Sequence, residues 1–403
     1  MLIELDESLL EITTQDMTGP IISTFRKLAM FKEECYHIIT AKKIDILEHV
    51  MKLMEKHDQC TEKTYLEIIQ NDYPDYGGLL DEVKYKVLIS KNIREFQIIT
   101  SEDVTVYVVP VDKFSRMFAM AKTCLLSENI NDCKLYVQIT KEHYKNEEKA
   151  CMAYNIQNGG GSTCANVLES ILQEQQDKKF CLTFADTDKK HPNDSFGRTL
   201  SDLIAIHKQY SNYNVSKLFY LKNFHEKENL IPPSVYGLCS STNCNLEKIL
   251  KIEQEHSTHH EKLQYFDIKE GLTVALYKRE AVKNYFDGLL NDLGIDTTNI
   301  LQRNDNYRII PGIGDCTPLV LEDIFENGLE EKLKLKTKEL QVEPDNVRVS
   351  VIISKIKDNI SKRLDFYDNL PEYIKTAWIK VSEAVFSWCC CPLDVETSHL
   401  IQL

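Results

Sequence analysis

Phe180-Cys-Leu-Thr-Phe-Ala-Asp-Thr-Asp188 decides how this chain is read. A short run rich in apolar and β-favouring residues predicts a buried strand, and two carboxylates close it. If strand geometry persists through Asp188, residues 186 and 188 point to the same face, roughly 6–7 Å apart. Two unit charges at that spacing repel by about 2.5 kcal/mol at an effective dielectric near 20. A divalent cation turns the cost into a gain, and hard Mg²⁺ favours carboxylate oxygens. The alternative is an Asx turn carrying two solvated acids.

Working outward, Lys149 to Ile156 is largely apolar and is followed by Gln157-Asn-Gly-Gly-Gly-Ser-Thr163. Val167, Leu168, Ile171 and Leu172 then recur at helical spacing within 165–176. The order strand, Gly-rich turn, helix, strand, Asp-x-Asp predicts a parallel βαβ unit. Gly159, Gly160 and Gly161 let the backbone adopt positive φ and let a phosphate or metal approach. Ser162 and Thr163 are suitable helix N-caps. The Gly-Lys-Ser/Thr ending of a P-loop is absent, and Cys164 stands where Gly-x-Gly-x-x-Gly needs its third glycine.

Downstream, 201–210 predicts a helix and Lys217 to Leu221 a further strand, followed by His225-Glu-Lys-Glu-Asn-Leu-Ile-Pro-Pro233. Glu226 and Glu228 lie just past that strand, placed to reach the same sheet edge as Asp186; a loop charge cluster is the alternative. Gln264-Tyr-Phe-Asp-Ile-Lys-Glu-Gly271 predicts another short strand-like piece. Lys189, Lys190, His191 and Arg198 follow the aspartate pair and are placed for phosphate contact, or else form a solvated turn.

In that order, the Gly-rich turn, Asp-Thr-Asp, Glu-Asn-Leu-Ile-Pro and Phe-Asp-Ile-Lys-Glu-Gly resemble the TOPRIM nuclease domain of bacterial anti-phage effectors, including OLD-type, retron-associated and ATPase-paired proteins. The resemblance covers about 149–275. It implies an α/β fold with a small central parallel sheet flanked by helices and Mg²⁺- or Mn²⁺-dependent phosphodiester chemistry. It also implies metal held by Asp186 and Asp188, with a general acid/base at the end of the first strand. Under it Glu226 or Glu228 completes the metal shell, and the three glycines, Lys189, Lys190, Arg198 and Lys269 face phosphate. The family's glutamate before the glycines falls at Gln157 or Asn158, and neither is ionisable. Three readings stand: a natural pseudo-nuclease, a substitute acid such as Glu226 or Glu228, or a Glu→Gln change that silences a toxic enzyme.

Length implies two or three domains. The expected division is an N-terminal α+β or helical accessory region at 1–145, a TOPRIM-like domain at 146–275, and a mostly helical region at 276–403. Residues 1–90 look mostly helical, whereas Lys134 to Thr140 alternates as a half-buried strand does. No apolar run reaches membrane-spanning length, the N-terminus lacks a signal-peptide layout, and 13 scattered cysteines fit a reducing cytoplasm. Cys389-Cys-Cys391 reads as packing rather than metal binding. A net charge of −14 argues against broad nucleic-acid binding, which needs a positive footprint. A nuclease of this charge needs a locally basic site or a partner that presents the substrate. No Walker A motif is present, so ATPase control comes from another subunit. The expected function is a cytoplasmic metal-dependent nuclease of DNA or RNA, the toxic arm of an anti-phage system, partnered by an ATPase or a reverse-transcriptase complex. The alternative is an inactive regulatory subunit of such a complex.

Overall fold

The computed structural model describes residues 1–144, 150–239, 243–325, 328–344 and 346–393. They form an α/β chain with two compact units, each discontinuous in sequence. The first comprises Met1–Ala185, Ser201–Phe219 and Lys380–Leu403; the second comprises Asp186–Leu200 and Tyr220–Ile379. The boundaries expected near 145 and 275 therefore fall within units.

The first unit opens with β1 (Leu2–Leu5), β2 (Ile38–Ala41), β3 (Tyr85–Ser90), β4 (Gln97–Ser101) and β5 (Val104–Pro110), arranged in the order β2-β1-β3-β5-β4. All pairs are parallel except the β4–β5 hairpin. This corrects the helical or α+β expectation for the N-terminal region, which is an α/β layer. Strands β1 and β2 are four residues long and buried throughout. A strand covered on both faces loses the two-residue alternation that would announce it. Even Glu4 lies inside, 4% exposed, with Lys86 Nζ at 2.9 Å.

The second sheet of this unit contains β6 (Thr123–Ser127), β8 (Tyr154–Asn158), β9 (Cys181–Phe184) and β10 (Ser216–Phe219), in the order β10-β9-β6-β8. All three pairings are parallel. Helices Ile130–His143 and Cys164–Gln173 follow β6 and β8. The expected βαβ unit needs one correction: β8 and β9 are not neighbours, because β6 lies between them. The alternating run at 134–140 also folds otherwise, as part of helix Ile130–His143. Asn129 and Asp132 form a reciprocal capping box at its start, and Cys133, Tyr136, Val137 and Thr140 are buried at helical spacing. Beside the sheet, β7 (Cys151–Met152) pairs antiparallel with Cys390–Cys391. The three consecutive cysteines are at most 4% exposed and free, and burial raises all three thiol pKa values, as packing residues require.

The second unit is mostly helical. Its longer helices are Leu246–Glu255, Glu280–Asp292, Gly328–Val342 and Val347–Asp368, with one antiparallel ribbon pairing Gly271–Thr273 and Arg308–Pro311. Trp378 is 3% exposed and its Nε1 donates to the Leu230 carbonyl at 2.9 Å. The segment Gln264–Glu270 is not a strand. It turns, with Gly271 N donating to the Asp267 carbonyl at 2.8 Å. Gly271 sits at φ +85°, and an added Cβ would lie 2.2 Å from the Ile310 carbonyl oxygen, so only glycine closes this turn.

Candidate metal centre

Strand β9 ends at Phe184, two residues before the first aspartate. The expectation that Asp186 and Asp188 share one strand face is therefore corrected. Asp188 has φ +57°, a left-handed conformation uncommon outside glycine, asparagine and aspartate. The loop is held by docking onto a neighbouring turn of the second unit. Thr187 N and Asp188 N both donate to the His225 carbonyl, at 3.1 and 3.0 Å. Thr187, 1% exposed, also donates its hydroxyl to the Phe224 carbonyl. On the other side Gly197 N donates to the Thr187 carbonyl at 2.8 Å. A Cβ at 197 would lie 1.9 Å from Asp188 Oδ2, so the missing side chain is the space the carboxylate occupies.

This docking separates the roles of the two aspartates. Asp186 Oδ1 accepts from Lys227 N at 2.9 Å. Asp188 instead groups with His225 and Glu226: each offers one donor atom, and these atoms lie within 4.8 Å of one another. Asp188 is exposed, Glu226 half-buried and His225 fully buried. One oxygen–nitrogen–oxygen set of this size, open on one side, matches the ligand types of a divalent cation site. His225 is the residue that sequence reasoning missed. Its signal was weak, a single histidine before a Glu-x-Glu pair.

Beneath these donors lies a dense ionic layer. Lys190 Nζ is 2.8 Å from His225 Nε2 and 2.9 Å from Asp267 Oδ2. His225 Nε2 also faces Glu226 Oε1 at 3.3 Å and Asp267 Oδ2 at 3.5 Å. Lys269 Nζ lies 2.7 Å from Glu226 and 3.4 Å from Glu228, and Lys227 Nζ lies 2.9 Å from Glu228. Glu228, 1% exposed, further accepts from the Thr317 hydroxyl at 3.0 Å. Burial raises the Glu226 pKa, with Glu228 adding to it against the pull of His225 and Lys269. Glu228 goes the other way: burial raises it, but Lys227 and Lys269 together outweigh that and lower it. For Asp267, burial is likewise outweighed, by the His225 hydrogen bond and by Lys190, and the carboxyl is held well below its ordinary range.

The expected phosphate contacts are thus engaged inside the unit. Lys189 is 5% exposed and donates to the Pro192 carbonyl at 2.5 Å. Lys190 and Lys269 hold Asp267 and the two glutamates. Arg198 is exposed.

The Gly-rich turn belongs to the first unit. Gly160 and Gly161 take φ +69° and +56°, and Thr163 donates its hydroxyl to the Gly159 and Gly160 carbonyls at 2.6 and 2.8 Å. Gln157 lies exposed in β8, its amide donating to the Asn158 carbonyl at 3.4 Å. But β8 is the second strand of its sheet in chain order and an edge strand. The first strand is β6, at the centre, and Glu128 follows it directly. The residue that directly follows the first strand of this sheet is thus Glu128, while Gln157 stands within an edge strand. Glu128 lies beside the glycines: its carbonyl accepts from Gly160 N at 3.0 Å, and a Cβ at 161 would stand 3.5 Å from its Oε1. Parallel register pairs Leu126 with Thr183, so β6 and β9 leave the sheet at the same edge. The run Thr123-Cys-Leu-Leu-Ser-Glu128, ahead of a capping Asn129, was the available signal.

No family model, curated protein or solved structure matches this chain.

Proposed function

We propose that the chain is a divalent-metal-dependent phosphodiesterase that cleaves nucleic acid. The observation carrying this reading is the convergence of Asp188, His225 and Glu226 donor atoms within 4.8 Å, on a loop held at positive φ by its neighbours. Strained backbone at a cluster of this kind is a mark of functional sites. These three residues would hold the ion. When bound, the ion supplies Lewis-acid polarisation of a phosphate oxygen and acidifies a water.

The chain's own residues supply the remainder. Lys227 N orients Asp186. Lys190 balances the charge of Asp267, and Lys269 that of Glu226 and Glu228. The TOPRIM resemblance gives an acid/base role to the end of the first strand, where Glu128 stands, so Gln157 need not be a silenced glutamate. Arg198 and Lys222 are exposed, as contact with phosphate requires. A net charge of −14 gives no general attraction for nucleic acid. We therefore extend the reading to an effector of anti-phage defence whose substrate is presented by a partner protein.

The test compares wild type with Asp188→Asn, Glu128→Gln and Gln157→Glu on labelled DNA and RNA, with Mg²⁺ and with Mn²⁺. The first two substitutions are expected to lower cleavage by about 10²–10⁴-fold, and Gln157→Glu to leave it unchanged. Cleavage that appears only in Gln157→Glu would return the acid to position 157. Inactivity of every form, including wild type with its captured partner, would favour the regulatory subunit.

A further inference from the structure

Resting on that reading of the metal centre, we infer that His225 is a metal ligand and that the site selects a borderline transition ion, such as Mn²⁺, Fe²⁺, Co²⁺ or Zn²⁺, over Mg²⁺. The donor set of Asp188, His225 and Glu226 is two carboxylates and one imidazole. Mg²⁺ prefers an all-oxygen shell and gives up water reluctantly. An imidazole nitrogen adds affinity for later first-row ions, in the order Mn²⁺ < Fe²⁺ < Co²⁺.

A second observation, independent of the carboxylates, points to a ligand. His225 is 0% exposed, and its Nδ1 has no hydrogen-bond partner among the described residues. Its Nε2 faces the Lys190 ammonium at 2.8 Å, with the Glu226 and Asp267 carboxylates at 3.3 and 3.5 Å. With Nδ1 protonated, its N–H lacks an acceptor. With Nε2 protonated, two donors meet at Lys190 and the Nδ1 lone pair is orphaned. An unsatisfied buried polar atom costs about 1–3 kcal/mol. A metal ion on Nδ1 would take that orphaned lone pair, with Nε2–H turned to Asp267 at 3.5 Å in the carboxylate–histidine–metal arrangement that orients such ligands. The position of His225 is fixed by its own backbone, whose carbonyl accepts from both Thr187 N and Asp188 N. The same contacts therefore set the imidazole and the exposed carboxylate with respect to each other.

The experiment is pulsed electron paramagnetic resonance on the full chain loaded with Mn²⁺, paired with calorimetric titration of Mn²⁺ and Mg²⁺. Nitrogen-14 modulation from a directly bound imidazole is expected in wild type, changing to the nitrogen-15 pattern after ¹⁵N-histidine labelling, which leaves the fold untouched. Mn²⁺ is expected to bind at least about tenfold more tightly than Mg²⁺, and His225→Gln to lose about 10–100-fold in Mn²⁺ affinity and the modulation with it. Mn²⁺ bound without nitrogen modulation, or Mg²⁺ bound equally well, overturns the inference while leaving a carboxylate metal site intact. Failure of every divalent ion to bind, with Asp188→Asn indistinguishable from wild type, overturns the metal centre as well.

Discussion

Gly197→Ala tests whether the Asp188 loop is a positioned ligand. The glycine carries no positive φ, so alanine meets no backbone strain there, and the whole perturbation is contact. The new Cβ would stand 1.9 Å from Asp188 Oδ2 and 2.7 Å from both its Cβ and Cγ, where real Cβ contacts essentially never fall under 3.0 Å. The carboxylate must therefore move by about 1 Å or more. A displacement of that size at a reacting centre costs about 100-fold in rate, or about 2.7 kcal/mol. Stability changes less: overpacking costs about 1–3 kcal/mol, offset by about 0.4–1 kcal/mol from the stiffer unfolded chain. Calorimetric titration with Mn²⁺ alongside urea unfolding separates the two effects. Metal affinity is expected to fall at least about tenfold, with the unfolding midpoint only modestly lowered. A folded Gly197→Ala protein that binds Mn²⁺ as wild type does would refute the placement of Asp188 in the ligand set.

Lys190→Met removes the ammonium that holds His225 Nε2 and Asp267. Mn²⁺ titration is expected to show tighter binding, since the Nε2–H of a ring metallated at Nδ1 then meets Asp267 with no ammonium facing it; weaker binding would contradict opposition between the ammonium and the bound ion. Glu228→Gln strips the buried partner from Lys227 and Lys269. The expected destabilisation is about 3–5 kcal/mol, read from chemical denaturation; a shift under about 1 kcal/mol would mean the lysines find other partners. The depressed carboxyl of Asp267 gives a pH dependence with a definite sign. A group whose folded pKa is lowered contributes stability above its unfolded value, about 3.9, and loses it as pH falls toward the folded value. Asp267→Asn is therefore expected to flatten the loss of stability below about pH 4, measured by thermal unfolding across pH, while wild type keeps the slope.

Local pattern carried a defined part of this structure. The apolar run at 180–185 announced β9, and the three-to-four spacing of Val167, Leu168, Ile171 and Leu172 announced helix Cys164–Gln173, because each signal is complete within one element. It failed where burial erased the period. Strands β1, β2 and β6 are buried throughout, so neither face contrasts with the other, and the run at 134–140 alternated by composition while a capping box at Asn129 committed it to a helix.

The amino-acid order alone determined that acids cluster after β9 and again after β10, with glycines in a strand-to-helix turn. Tertiary structure decided where each of them stands. Strand order made β6 the first strand of its sheet, so Glu128 follows the first strand and Gln157 lies in the edge strand β8. Docking of the 187–188 backbone onto the His225 carbonyl turned Asp188 away from strand geometry and toward an imidazole 37 positions further along the chain. Pairings of that range depend on which backbone groups find partners after the chain has closed on itself, and no local spacing encodes them.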